Sequence, residues 1–207
     1  DQEPVTLSEP VKIDHLATDF SRLPVSWLDS ARQKLHIAYG HTAHGSQLTT
    51  GMNALDAFFT DGRFAWSHND APDSLHMLEG DSASQEGWMG MDCCTPGWDD
   101  ETREYLDAHP KCNVIMWSWS GLQNTVSEQN IQKEYLQPMQ QLEAEYPGVN
   151  FIYMTGPLEG LGPDGAVKTA NDSIRKFCTE NNNILFDFAD IEKYNPERNT
   201  NYQNYGG

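Results

Sequence analysis

Residues 39–52, YGHTAHGSQLTTGM, place two histidines, a serine and a glutamine in one short turn. The residues that can do chemistry are His41, His44 and Ser46, which come directly before a segment with helical periodicity. A serine hydroxyl becomes a nucleophile when a base takes its proton, and a helix N-terminus stabilises the oxyanion that develops. The turn therefore indicates either nucleophilic catalysis by Ser46 or a hydrogen-bonded corner in which Ser46 only caps the helix.

Alternating helices and strands must position this turn. Apolar residues at helical spacing predict helices over 26–35, 46–59, 99–110, 127–148 and 165–181. Short apolar runs predict strands over 35–40, 73–80, 113–121, 149–156 and 183–190. Strands that are apolar on both faces are typical of a parallel sheet covered by helices. We expect a kink at Pro138 in the long helix.

The domain organisation follows from the same pattern. We predict an extended N-terminal arm over 1–20, one α/β domain over 21–190 and a polar C-terminal tail over 191–207, which is rich in Asn and Tyr. In open parallel sheets, ligands bind at the carboxyl ends of the strands. Because Ser46 follows the first predicted strand of the domain, we expect it at that edge of the sheet.

The chain is strongly acidic, with a formal net charge of −18 over 207 residues. A polyanion repels nucleic-acid phosphates and anionic lipid, and no apolar run approaches the ~20 residues of a membrane span. We therefore expect neither nucleic acid nor a membrane as a partner. The chain begins at Asp1 without a signal peptide, and we interpret it as a secreted protein from which that peptide has been removed.

Four cysteines are compatible with disulfides: Cys93, Cys94, Cys112 and Cys178. The adjacent pair lacks the CxxC spacing of common metal ligands, and we expect no metal and no cofactor. Because we interpret the protein as exported, we expect Cys112 to pair with Cys93 or Cys94. Cys178 then either pairs with the other member of the adjacent pair or stays without a partner in these 207 residues.

Five blocks of the sequence resemble a bacterial branch of the SGNH/GDSL hydrolases, in which a GHTSHGSQ-type turn replaces the usual GDS turn. They span residues 26–196 in the family's order: WLDSARQKLHIAYGHTAHGSQLTTGM, DCCTPGWDDETREYL, NVIMWSWSG, EYPGVNFIYMTGPLEG and ILFDFADIEKYNP. The resemblance implies a flavodoxin-like three-layer α/β/α sandwich with a five-stranded parallel sheet. It also implies an esterase or carbohydrate deacetylase that acts on an ester or an acetylated carbohydrate. Ser46 takes the nucleophile position, and its backbone N–H would be one oxyanion donor.

The sequence departs from the family pattern at three places. The family takes its general base from a histidine near the end of the domain, whereas the last histidine here is His109. Cys94 stands where the family has a glycine oxyanion donor. The side-chain amide that the family supplies after the third strand has to come from Gln123 or Asn124. A serine without a base is a poor nucleophile, so the missing histidine matters most.

Three hypotheses follow for the base that Ser46 requires. It is supplied from beyond residue 207, or His41 or His44 has taken over its role, or the chain has lost catalysis. In the third case the protein is an extracellular structural or binding subunit that self-assembles, as a homo-oligomer, through its polar and aromatic arms. For residues 1–207 alone we predict no hydrolysis that depends on Ser46.

Overall fold

A computed structural model of the chain describes residues 7–41, 43–69, 71–80, 93–94, 96–119, 128–158, 165–195, 197 and 200–202. Its strands are β1 (Val11–Ile13), β2 (His36–Gly40), β3 (Trp66–Ser67), β4 (Leu75–Gly80), β5 (Val114–Trp117), β6 (Asn150–Met154) and β7 (Ile184–Phe186). Its helices are α1 (Val25–Lys34), α2 (Ser46–Phe58), α3 (Trp98–Ala108), α4 (Glu128–Ile131), α5 (Gln137–Glu145), α6 (Ala166–Asn181) and α7 (Phe188–Lys193). None of the helices in these ranges has the length and apolar composition needed to cross a lipid bilayer.

The seven strands form one parallel sheet in the order β1-β7-β6-β5-β2-β4-β3. The strands predicted over 35–40, 113–121, 149–156 and 183–190 are parallel neighbours, because β2, β5, β6 and β7 are consecutive in that order. In a parallel sheet all carboxyl ends lie at one edge. The turn that leaves β2 at this edge therefore carries His41, His44 and Ser46.

Apolar side chains fill both faces of the sheet, because neighbouring residues of a strand point to opposite faces. One cluster packs Ala38, Ile115 and Trp117 against α3, α4, α5 and α6. The other packs Tyr39 and Met116 on the opposite face, against α2 and α7. The prediction of a parallel sheet with helices packed against it is confirmed.

The expected count of five strands is wrong, because two short edge strands flank the five predicted ones. β1 comes from the predicted N-terminal arm and pairs with β7, with Ile13 opposite Phe186. β3 has only two residues and pairs with β4. Periodicity identifies strands over runs of about four residues or more, so neither of these pieces gives a signal in the sequence.

Two predicted elements end differently in the structure. The strand predicted over 183–190 stops at Phe186, because the Asp187 side chain accepts the backbone N–H of Asp190 and starts α7. The helix predicted over 127–148 contains a π-helical turn, Gln132–Leu136, which joins α4 to α5. This turn ends before Pro138, whose ring crowds the carbonyl four residues earlier in a regular helix.

The cysteine pairing differs from the expected one. Cys93 and Cys94 are joined to each other by a disulfide, whereas Cys112 and Cys178 are free and buried. Cys112 precedes β5 inside the larger core cluster, where its thiol donates to the carbonyl of Val114 at 3.5 Å. The expected pairing of Cys112 with Cys93 or Cys94 is therefore wrong. Burial raises the pKa of the Cys112 thiol to about 11 and raises that of Cys178 as well.

Candidate functional site

Ser46 is the first residue of α2 and lies at the carboxyl edge of the sheet. β2 ends at Gly40, and a short turn of 3₁₀ helix, Ala43–Gly45, leads into α2. The Ser46 side chain is exposed, and the hydroxyl of Thr49 donates to its carbonyl at 3.1 Å. The backbone N–H groups of a first helical turn point out of the helix, and the helix dipole favours negative charge there. This placement suits a serine at which an oxyanion develops.

Two glycines allow the turn to close. A Cβ atom on Gly40 would lie 2.7 Å from the Cη2 atom of Trp117 and overlap other atoms of its ring. A Cβ atom on Gly45 would lie 2.8 Å from Cγ of His41 and 2.9 Å from the hydroxyl oxygen of Tyr39. Real Cβ atoms do not approach other atoms this closely. Glycine at both positions is therefore needed for β2 to end against Trp117 and for the turn to pack on His41.

Tyr39 connects the turn to the sheet. Its side chain is fully buried, and its hydroxyl donates to the carbonyl of Gly45 at 3.0 Å. Its ring centroid is 4.6 Å from that of His41. Burial raises the pKa of Tyr39, and hydrogen bonding with Ser118, which follows β5, offsets only part of this rise. The phenol therefore stays protonated at neutral pH and keeps its donor proton for Gly45.

Glu79 holds the imidazole of His41. His41 directly follows β2, Glu79 lies in the neighbouring strand β4, and Nε2 of His41 lies 2.6 Å from Oε2 of Glu79. The other carboxylate oxygen lies 3.1 Å from Nε2 of His68, which follows β3. The hydrogen bond from His41, and then that from His68, lower the pKa of Glu79 against the opposing effect of burial. Glu79 is therefore a carboxylate that binds two imidazoles.

The pairing with Glu79 determines which nitrogen of His41 is basic. A carboxylate accepts a proton donor, so Nε2 carries the proton and the neutral ring has its lone pair at Nδ1. Nδ1 of His41 is buried and has no hydrogen-bond partner within the described part of the chain, and the same holds for Nδ1 of His44. An imidazole that is oriented by a carboxylate and has its other nitrogen unpaired is the arrangement of a general base.

Two of the predicted oxyanion donors cannot be placed, and a third position is a disulfide-bonded cysteine. Gln123 and Asn124 lie outside the described residues. Cys94, at the position of the family's glycine donor, is bonded to Cys93 and packs against the larger core cluster.

A second group of titratable residues lies at the far end of the same edge, where β1 and β7 finish. Nδ1 of His15 pairs with Asp190, and potential ligand atoms of Asp14, His15 and Asp190 lie within 4.8 Å of one another. Lys12 contacts Asp14 at 2.8 Å, and the ring of His15 stacks on Tyr194. These carboxylates already have partners, so the group is an ion-pair cluster. The sequence analysis did not find it because β1 gives no periodic signal.

The comparisons with known proteins assign no family. A scan against models of protein families finds no match, and no curated protein matches the chain significantly.

Proposed function

We propose that the protein is an SGNH-like serine hydrolase, an esterase or carbohydrate deacetylase, with Ser46 as its nucleophile. The observation that carries the proposal is the position of Ser46 at the first residue of α2, directly after the carboxyl end of β2. The N–H groups of that helical turn supply donors for the oxyanion of a tetrahedral intermediate. The resemblance of the turn sequence to the GHTSHGSQ type supports the same role.

The fold supports the proposal at a coarser level. The parallel sheet has an apolar cluster on each face, and each cluster contains residues from helices. Under the proposal, α3, α4, α5 and α6 form one outer layer of an α/β/α sandwich, and α1, α2 and α7 form the other. β1 and β3 then extend a five-stranded core of the kind that the family has.

The charge of the protein narrows the substrate class. A formal net charge of −18 repels anionic polymers and leaves neutral or cationic esters as the favoured substrates. An acetylated neutral carbohydrate or an acetyl ester of a small alcohol fits this condition. We propose no cofactor, and no nucleic acid or membrane, as a partner.

We also propose that the protein works outside the cytoplasm. The disulfide between Cys93 and Cys94 supports this location, because disulfides persist mainly in oxidising compartments.

The test is the reactivity of Ser46 in the purified chain. A fluorophosphonate probe and p-nitrophenyl acetate are offered to the wild type, to Ser46→Ala and to Ser173→Ala, which alters a half-buried serine on α6. We expect labelling of the peptide that contains Ser46, with label and turnover lost in Ser46→Ala and kept in Ser173→Ala. This replaces the expectation from the sequence alone, that residues 1–207 are inactive for want of a base, because Glu79 orients the imidazole of His41 beside this turn. A wild type with no labelling and no turnover dependent on Ser46 contradicts the proposal.

If the chain has no esterase activity, the alternative is a structural or binding subunit that self-assembles through its arms. Sedimentation of chains that lack 1–20 or 197–207 then tests this alternative. Association unchanged by both truncations excludes a role for the arms.

A further inference from the structure

The proposed nucleophile needs a base, and the seven histidines of the chain are all among the described residues. Three of them line a cavity of about 330 Å³ at the opposite, amino edge of the sheet: His36, His76 and His109. His15 lies beyond β1, four strands from β2, which is about 19 Å at ~4.8 Å per strand. His68 follows β3, two strands from β2. The histidines in the turn before Ser46 are His41 and His44.

His41 differs from His44 in having a carboxylate that fixes its ring. Its side chain is 6% exposed, and its Nε2 lies 2.6 Å from Oε2 of Glu79. Glu79 is itself held by a second imidazole, that of His68, at 3.1 Å. The ring of His41 is further confined by that of Tyr39. Its orientation is therefore set before any substrate binds, as catalysis by a base requires.

The ring of His41 packs against the turn that carries Ser46. The backbone of Gly45 packs directly on Cβ and Cγ of His41. Nδ1 is bonded to Cγ, whereas Nε2 lies at the far side of the ring with Glu79. The nitrogen that has no partner within the described ranges is therefore at the end of the ring, next to Cγ, that packs on Gly45, the residue before Ser46. The lone pair of a neutral His41 is used by no hydrogen bond within the described part of the chain.

We infer that His41 is the general base for Ser46 and that Glu79 is the residue that positions it. This inference rests on the proposed function. The imidazole is used in the reverse sense to the common serine triad, because Nε2–H binds the carboxylate and Nδ1 takes the proton. The dyad replaces the histidine that the family takes from the end of its domain, so residues 1–207 have a base of their own.

The proton transfers of the proposed reaction balance with the ester and water as the only reagents. As Oγ of Ser46 bonds to the acyl carbon, its proton moves to Nδ1 of His41 and the carbonyl oxygen becomes the oxyanion. Collapse of the intermediate breaks the bond to the leaving alkoxide, which takes the proton from Nδ1. Water then attacks the acyl-serine by the same route, and its proton returns through Nδ1 to Oγ. Glu79 stays ionised and stabilises the imidazolium at each step.

The experiment compares His41→Asn, Glu79→Gln and His44→Asn with the wild type, using p-nitrophenyl acetate and the fluorophosphonate probe. His109→Asn, at the opposite edge, is the matched control. We expect His41→Asn to lower kcat by about 100-fold or more, which is the usual contribution of a general base. We expect His44→Asn and His109→Asn to stay within about threefold of the wild type, a change too small for the loss of a base.

The pH profile separates a positioning role of Glu79 from a merely structural one. Glu79→Gln keeps an oxygen acceptor for Nε2–H but removes the negative charge. We expect it to lower kcat with KM little changed, and to move the acid limb of the kcat/KM profile to lower pH, because the imidazolium loses its counter-charge. Melting temperatures show whether each variant is folded. If His41→Asn fails to fold, the profile of Glu79→Gln still decides the inference.

The outcomes separate this inference from the proposed function. Turnover that depends on Ser46 but not on His41 or Glu79 overturns the dyad and leaves the serine hydrolase in place. Loss of turnover in His44→Asn alone also overturns it. A wild type without any turnover dependent on Ser46 overturns the proposed function itself.

Discussion

A Cβ atom on Gly45 would overlap Cβ of His41 and lie 2.8 Å from its Cγ. The backbone of one residue and the ring of the other therefore occupy adjoining space with no gap for a methyl group. Because Gly45 has a φ of −59°, its backbone conformation is open to any residue. Glycine is required at this position by packing alone.

Gly45→Ala is expected to destabilise the protein by about 1–3 kcal/mol, the usual cost of overpacking a close contact. It also displaces His41 and so lowers labelling of Ser46 by the fluorophosphonate probe. Gly51→Ala, in the helix α2 that follows Gly45, is the control, because a Cβ atom there meets nothing within 4 Å. Alanine in the helix interior should stabilise by about 0.5–1 kcal/mol. Urea unfolding measures both, and equal effects would contradict the packing argument.

The pairing of Glu79 with His41 and His68 makes a pH-dependent contribution to stability. The pKa of Glu79 is lowered in the folded protein, so the contribution is present above the ordinary value of 4.5 and is lost as the pH falls through the lower, folded value. We expect Glu79→Gln to be less stable than the wild type near neutral pH. The difference should shrink as the pH falls below 4.5.

Urea unfolding at a series of pH values measures this difference. Glu180→Gln, at an exposed position on α6, is the control and should stay within about 0.5 kcal/mol of the wild type. A difference between Glu79→Gln and the wild type that is constant with pH would show that the carboxylate is not paired in the folded state.

Arg175 pairs with Asp187 through two hydrogen bonds of 2.7 Å each and so joins α6 to the carboxyl end of β7. The Asp187 side chain is only 3% exposed. Arg175→Met leaves this carboxylate buried without its cation, and we expect a loss of about 3–5 kcal/mol. Lys168→Met removes an exposed partner of Asp172 on the same helix and should cost at most about 1 kcal/mol. Similar losses in the two variants would argue against the buried pair.

The number of free thiols in the protein can be measured by alkylation. We expect two alkylatable thiols, those of Cys112 and Cys178, when the protein is unfolded without reductant, and four after reduction. The unreduced peptide that contains Cys93 and Cys94 should be lighter by two hydrogen atoms than its reduced form. Four thiols without reductant would exclude the disulfide and weaken the proposal that the protein is exported.

The central strands, and the position of Ser46 at the carboxyl edge of the sheet, could be predicted from the sequence, because each depends on local periodicity. β2, β5 and β6 are apolar runs of ordinary length, and the turn after β2 stands out by its polar residues. The pairing of His41 with Glu79 could not be predicted from the sequence. Both residues follow from the rule that ligands bind at the carboxyl edge, but their contact depends on the register that sets Tyr39 of β2 opposite Glu79 of β4. Register between distant strands leaves no local signal.

The cysteine prediction failed for a related reason. The expectation that Cys112 pairs with Cys93 or Cys94 rested on the interpretation of the protein as exported, since disulfides persist in oxidising compartments. The structure instead buries Cys112 in the core, and it bonds the adjacent cysteines to each other. Sequence spacing gives the distance along the chain, whereas burial decides which thiols can meet.

The pairing of β1 with β7 has a consequence for how the chain is assembled on the ribosome. His15 and Asp190, which meet just beyond these strands, are 175 positions apart in the sequence. Val11–Ile13 therefore emerge early during translation but find their partner strand only after nearly all of the domain has been synthesised. Contacts between such distant segments form slowly, and an unpaired edge exposes the growing chain to wrong pairing meanwhile. The part of the sheet that is translated first is thus the part whose docking completes last.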